Sequence, residues 1–493
     1  MPYPAAVTSR SVASPTSVLS RELLPASIAI FVTVALAAFE GLAVAAALPE
    51  VAADLGSVAL LPWVITSFLL TSGVATIVSG RLIDTIGVRT MFRIAVIVFA
   101  GSGVLAAFAP SMEVMIGLRA VQGVGSGMVI AVGLAAVSLI YPPHLTGRAF
   151  AANSTVWGVM GVASPAIAAV MLTQLDWRWI FLINLPLGLI SLVAGWRVMP
   201  PEQSLSDRNP MDYVGTGLAL LFTAAVLFAV NDLRWSSVLW LVAATAAGYV
   251  FYRRSGSHEA PLVERRYLAE TPFAPLAFSI SLLITGAIAP NAFVPLYVSA
   301  GRLASEATTA WSVLFFTVGW TAGANLSSRL LDSRAQLTVI RYGFATTIPS
   351  LVLTAVAGAF SLGLPVLFGA LFGVGVGIGL ATNASLTLLR DVSSPQEIGR
   401  STAAHQFFRN QGFAFGSAIG GAALFVTVAA IVGDPELVRD VLAGDAATAG
   451  GQVSAAVVDG FALSAAIGAA IAALGLLALR HLSPAGKVPE IDN

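Results

Sequence analysis

Apolar residues run along this chain in long blocks separated by short polar stretches. A helix needs about twenty apolar residues to cross a bilayer. Read with that window, the pattern predicts spans near 24–48, 58–79, 91–109, 112–138, 149–173, 180–199, 213–231 and 236–252. Six more follow near 272–298, 307–328, 338–359, 363–389, 400–432 and 455–479. The expected fold is an all-α membrane protein with fourteen spans. The first apolar run exceeds the roughly 7–15 residues of a signal peptide core, so it is expected to remain as a span.

Composition agrees with the pattern. Hydrophobic residues make up 57% and charged residues 10%, against about 25% charged in a soluble domain. Forty-six glycines suit helices that pack closely in lipid. The absence of cysteine excludes disulfides and thiolate metal sites. His144, His258, His405 and His481 include no pair at helical metal-ligand spacing, and no P-loop is present. No cofactor or metal, no enzymatic activity and no nucleic-acid partner are therefore expected. Lys487 is the only lysine, a bias that suggests a GC-rich bacterial genome.

Net charge is zero, but its distribution is not even. Nineteen Arg and Lys residues fall in the tails and one set of loops, and four (Arg178, Arg234, Arg302 and Arg439) fall in the other set. The positive-inside rule places both termini in the cytoplasm. The outer loop near 433–454 is acidic and reads as a solvated surface.

The chain echoes itself. Gly80-Arg-Leu-Ile-Asp84 pairs with Ser328-Arg-Leu-Leu-Asp332, Gly123-Val-Gly-Ser-Gly127 with Gly373-Val-Gly-Val-Gly377, and Pro49 with Pro295. The near-constant offset predicts two related six-helix bundles with a helix pair between them. The expected divisions are a cytoplasmic tail at 1–23, a first bundle at 24–199 and an inserted pair at 200–254. A cytoplasmic linker at 255–271, a second bundle at 272–480 and a tail at 481–493 complete the chain.

Charge at bilayer depth is costly and usually functional. Glu40 is the one carboxylate placed deep in a span. Such a carboxylate pays desolvation when ionised, so it can load and release a proton as its exposure changes. A structural Glu held by backbone or by Arg119 is the alternative. Arg119, in Leu118-Arg-Ala-Val-Gln-Gly123, must face the bundle interior and shares a helix face with Gln122. The spacing maps Glu40 to Gly286 and Arg119 to Gly369, so the second half lacks both charges. Arg409 and His405 share a face of span thirteen with a polar stretch, which either lines a cavity or ends a long helix. The turn Gly80 to Arg89 holds Asp84 and Gly87 and reads as a latch between moving helices or as a generic polar turn. Gly161 and Pro165 predict a kinked, closely packed span five, whether a gate or ordinary packing.

Together these segments resemble the major facilitator superfamily. Residues 80–89 are similar to its cytoplasmic signature, with Thr85 and Val88 at basic positions. Residues 118–127 match its span-four motif, and 158–169 resemble its antiporter motif with Ser164, Ala168 and Ala169 at glycine positions. Trp63 to Leu70, Asp176 to Pro186, Pro261 to Glu264 and Arg409 to Gly416 resemble the fourteen-helix drug:proton antiporter branch. The resemblance covers about 26–425. It implies a proton-coupled transporter of the multidrug efflux type, working by alternating access in the bacterial cytoplasmic (inner) membrane. Its expected partners are a small hydrophobic or amphipathic substrate, protons and the lipid bilayer, and the chain is expected to act as a monomer. Glu40 and Arg119 would couple protons. Trp63, Gln122, Asn153, Trp157, Asn291, Asn325 and Arg409 would line the substrate cavity. Leu42 and Ala45 replace polar family residues, which leaves export of a lipid or cell-envelope precursor as an alternative. A membrane sensor that no longer transports is another.

Overall fold

The computed structural model describes residues 17–56, 60–200, 212–232, 236–394, 397–432 and 451–482. Every regular element among them is helical. The first bundle contains α1 (Leu24–Leu55), α2 (Leu61–Ala107), α3 (Met112–Ile140), α4 (Pro143–Gln174), α5 (Arg178–Leu182) and α6 (Asn184–Gly195). The helix pair α7 (Tyr213–Asp232) and α8 (Ser236–Ser255) follows, then the short α9 (Arg265–Ala269). The second bundle contains α10 (Phe273–Asn291), α11 (Val294–Leu296), α12 (Glu306–Ser312) and α13 (Leu314–Leu331). It continues with α14 (Gln336–Ala359), α15 (Leu364–Val392), α16 (Ile398–Val432) and α17 (Gly451–Ala478). The acidic loop at 433–450 and the outermost tails lie outside the described residues.

Two of the helices are broken by their sequence. Gly87 adopts φ 79° and ψ 157°, a conformation that glycine enters without steric cost. It divides α2 into two membrane-crossing arms, Trp63–Ile83 and Thr85–Ala107. In α4, His144–Gly161 and Ala166–Gln174 meet at 41°, a bend that encloses Pro165.

Eleven helices among the described residues are long and apolar enough to cross a membrane, or twelve with bent α4 as one span. The expected count of fourteen is larger. The shortfall falls on α8 and on the α12–α13 segment. α8 ends in Arg253 and Arg254, while α13 carries Asn325, Ser327, Ser328 and Arg329 and begins after a break from α12.

The two bundles share one packing plan. α1 packs on α4 and α6, and α10 packs on α16 and α17. α3 lies across both arms of α2, as α15 lies across α13 and α14. Glycine makes this possible. A Cβ on Gly123 would strike the Phe68 carbonyl, and one on Gly127 the Ser72 carbonyl; one on Gly125 would lie 2.7 Å from Phe99 Cα. Gly375 and Gly379 meet the Phe316 and Trp320 carbonyls in the same way, while Gly377 meets Thr347. Gly123, Gly125 and Gly127 therefore correspond to Gly375, Gly377 and Gly379. That is two residues beyond the pairing expected from sequence, and it puts Leu371 rather than Gly369 opposite Arg119. The close approach lets side chains bond the neighbouring backbone: Thr71 Oγ1 donates to the Ala120 carbonyl at 2.7 Å and Ser327 Oγ to that of Leu380 at 3.2 Å.

The bundles meet where α2 touches α16 and where α4 touches α13. On α4, Gly158 and Gly161 admit Thr321 and Thr317 of α13, and any side chain at either glycine would collide. α7 packs against both α2 and α16, so the inserted pair bridges the halves.

Candidate functional site

Four side chains from three helices converge inside the first bundle. Glu40 on α1, Arg119 and Gln122 on α3 and Asn184 on α6 are all at most 1% exposed. Arg119 Nη1 donates to Glu40 Oε1 at 2.8 Å and to Gln122 Oε1 at 2.8 Å. Its Nε donates to the Val64 carbonyl at 3.1 Å, and Phe68 lies 4.2 Å from its guanidinium carbon. Asn184 Nδ2 donates to the other oxygen, Glu40 Oε2, at 2.7 Å. Buried charge is tolerated only when paired and hydrogen-bonded, and both carboxylate oxygens and the guanidinium satisfy that condition.

Local packing fixes the cluster. Met112 and Met115, Phe39, Val64 and Phe181 pack beside it in one apolar core. Ser111 caps α3 by accepting from the Val114 amide, which sets the start of the helix that carries Arg119. Gly103 leaves room for the amides: its Cβ would lie 2.8 Å from Gln122 Nε2 and 2.9 Å from Asn184 Nδ2. Gln122 Nε2 and Asn184 Oδ1 have no hydrogen-bond partner among the described residues. The cluster thus retains one spare donor and one spare acceptor beside an ionisable carboxyl.

Of the residues expected to line a cavity, only Gln122 joins this cluster. Trp63 packs on Phe228 of α7 with ring centres 4.7 Å apart, and Phe228 in turn stacks on Trp240 of α8. Asn153 and Asn291 each bury an Oδ1 without a partner. Trp157 is 39% exposed beside the α4–α13 contact. Asn325 is exposed and bonds its own helix at the Thr321 carbonyl. Arg409 stands on α16 at the seam between bundles. Asn184 was not anticipated, because a single Asn near a span end also suits a solvated helix terminus.

The latch residues divide between two jobs. Arg89 donates to the Met199 carbonyl at 2.8 Å and Arg93 to that of Trp196 at 2.8 Å, so both cap the end of α6 inside the first bundle. Arg89 thus ties α2 to the end of α6 within the first bundle. Gly80 faces Ala403 of α16, where a Cβ would lie 3.0 Å away. The side chain of Asp84, like that of Pro165, lies outside the described residues.

Cross-bundle ties come instead from neighbours that sequence reading passed over. Arg81 donates to the carbonyls of Ala260 and Pro261. Arg400 pairs with Glu264 at 2.7 Å, and Arg266 pairs with Glu397 at 2.6 Å. Asp212 joins α7, α8 and the linker by accepting from Gly215 and Leu262 amides and from Arg254 Nε. Burial pushes the Asp212 carboxyl up, but these hydrogen bonds and the Arg254 charge outweigh it and hold it below the usual carboxylate range. The linker at 255–271 thus acts as a strap across the cytoplasmic end, and between this strap and α2, residues including Ile77, Arg81, Tyr267 and Ala403 line a crevice of about 10 Å³, roughly the room for one water.

Known proteins resemble this chain in sequence and in fold. Multidrug transporter protein MdtP of Bacillus subtilis is 27% identical over 405 residues, covering 78% of this chain and 72% of MdtP. A probable actinorhodin transporter of Streptomyces coelicolor is 28% identical over 410 residues, covering 78% of this chain and 70% of that protein. An uncharacterised MFS-type transporter of Mycobacterium tuberculosis is 28% identical over 394 residues, covering 77% of this chain; the match spans only 56% of that longer protein. Among solved structures, the proton:xylose symporter XylE superposes with a TM-score of 0.63 at 14% identity over 94% of this chain and 96% of XylE. The human organic anion transporter MFSD10 gives 0.62 at 13% identity over 92% of this chain and 98% of its own. With the family profile matching residues 30–417, the chain belongs to the Major Facilitator Superfamily.

Proposed function

We propose that this protein is a proton-coupled secondary transporter that exports hydrophobic or amphipathic compounds by alternating access between its two bundles. The observation that carries this reading is the fully buried Glu40–Arg119 pair at 2.8 Å. Each half of the pair would be expensive alone at membrane depth. Opening the bundle to one side admits water and lets Glu40 take a proton. Neutral Glu40 releases Arg119 from its counter-charge, and closure toward the other side restores the pair and expels the proton. Asn184 suits both states. It donates to the ionised carboxylate now, and its unpartnered Oδ1 can accept from the protonated carboxyl after the amide rotates.

Gly158 and Gly161 let α4 slide against α13 as the halves rock, and the Arg81–linker–Arg400 ties would break and reform at the cytoplasmic end. All fourteen helices belong to the membrane in this reading. α8 supports it by turning Val238, Leu239, Leu241 and Val242 outward, an apolar face suited to lipid. Arginine placement supports cytoplasmic termini, and the bacterial relatives support the inner membrane. MdtP, by its name a multidrug transporter, supports a drug-like cargo.

The test is reconstitution into proteoliposomes with an imposed proton gradient and a fluorescent amphiphile as cargo. Wild-type protein should move cargo against proton flow, and Glu40→Gln should abolish the coupled proton movement. Undiminished coupling in Glu40→Gln would refute the role.

A further inference from the structure

The second bundle holds a charge that this proton chemistry leaves unused. Arg409 is half-buried on α16, eleven residues from its start at Ile398, about 16 Å along the helix and near the middle of a bilayer core of roughly 30 Å. Its Nη1 donates to Gln406 Oε1 at 3.0 Å, and its Nε is buried without a partner. No ion pair reaches it among the described residues. Neither α13 nor α16, which supply these contacts, contains an Asp or Glu.

Aromatic planes stand beside this cation. Its guanidinium carbon is 5.7 Å from the Trp320 ring centre on α13 and 5.8 Å from that of Phe413. The two rings are nearly parallel, 8° apart in plane with centres separated by 5.9 Å. The next residues on α16 reach across the seam: Asn410 bonds Thr76 of α2 at 3.4 Å, and Gln411 bonds Thr223 of α7 at 2.5 Å. The cation therefore sits where the halves part.

Charge balance decides what it could receive. Glu40 and Arg119 cancel, and Glu113 and Asp459 lie on exposed faces toward helix ends. Among the described residues, Arg409 leaves the interior one positive charge in excess, and protonation of Glu40 adds a second. A lipophilic cation would be repelled. A guanidinium presents a planar fork that fits a carboxylate or sulfonate bidentately, and flat rings stack on aromatic planes.

We propose that Arg409, with Trp320 and Phe413, forms the docking site for the anionic group of a planar aromatic substrate, so that the exported class is lipophilic aromatic anions. This rests on the export reading above, but binding at Arg409 needs neither a gradient nor Glu40.

Purified protein in lipid nanodiscs, with empty nanodiscs as baseline, is titrated with anilinonaphthalene sulfonate, uncharged phenylnaphthylamine and the cation ethidium. The sulfonate should bind more tightly than the neutral probe by roughly tenfold or more, as a desolvated charge-assisted contact gives. Arg409→Gln should erase that advantage, and Arg409→Lys should restore part of it, which also shows that the site is folded. Trp320→Leu should weaken both naphthyl probes. Equal affinity for the two naphthyl probes, preference for ethidium, or a sulfonate advantage that survives Arg409→Gln would overturn the anion site while leaving proton-coupled export standing. Loss of gradient-driven transport in wild-type liposomes would instead sink the export reading.

Discussion

Glu40→Gln keeps the shape of the side chain and removes its charge, and the geometry sets the cost. Arg119 loses one charge-assisted hydrogen bond at 2.8 Å and keeps neutral acceptors at Gln122 and Val64. The new amide can serve both neighbours only if Asn184 turns over, so that Asn184 Oδ1 accepts from the new NH2 while the new carbonyl oxygen faces Arg119 Nη1. Breaking a buried pair from one side costs about 3–5 kcal/mol. The retained acceptors and the Phe68 face put this case near the lower end, about 3 kcal/mol. Arg119→Gln should cost less, about 1–3 kcal/mol, because a stranded carboxyl can take up a proton whereas a stranded guanidinium cannot shed one. The double variant strands neither group. It should recover about 2 kcal/mol or more of the summed losses, as coupled neighbours do. Thermal unfolding of the four proteins in one detergent at neutral pH, followed by tryptophan fluorescence, gives the order. Losses that simply add in the double variant would show that the two charges do not support one another and would refute the pairing argument.

Other expectations follow from the packing and the strap. Gly123→Ala should lower stability by about 1–3 kcal/mol through overpacking against Phe68 and Thr71. Gly117→Ala, with nothing within 4 Å of its Cβ, should be neutral or gain up to about 1 kcal/mol, and unfolding temperatures compare the two. Glu397→Gln should change stability by less than about 1 kcal/mol, since the pair is partly exposed. It should nevertheless loosen the cytoplasmic seam, read as faster thiol labelling of a cysteine placed at Ala403 in this cysteine-free chain. The Asp212 carboxyl titrates below its unfolded value, so its contribution is present above about pH 4 and is lost as pH falls through the folded value. The gap in unfolding temperature between wild type and Asp212→Asn should therefore close on acidification.

What the sequence disclosed depended on how local each signal was. Glu40 and Arg119 were legible singly, because an ionised group inside an apolar run is conspicuous whatever it touches. The strap was not legible, since Arg81 meets Pro261 across 180 residues and Arg266 meets Glu397 across 131, with no periodicity to join them. Asn184 carried no charge to mark it. The register of the internal repeat slipped by two because Gly373, Gly375, Gly377 and Gly379 alternate, and only contact with the facing carbonyls selects among them. Polar residues at Asn325, Arg253 and Arg254 diluted two helices below the apolarity of the rest, although both fold as helices.

The crossing of α10 and α17 bears on how the coupling ratio could evolve. Gly286, which the proline spacing pairs with Glu40, lies so close to Gly468 that a Cβ on either would strike the other's carbonyl. A carboxylate cannot enter at 286 by a single substitution; the helices would first have to separate along their whole contact. On the proposed role of Glu40, a second proton-carrying carboxylate at 286 is thus closed to stepwise mutation. One proton per cycle at this pair of helices would be a limit imposed by backbone contact rather than by chemistry.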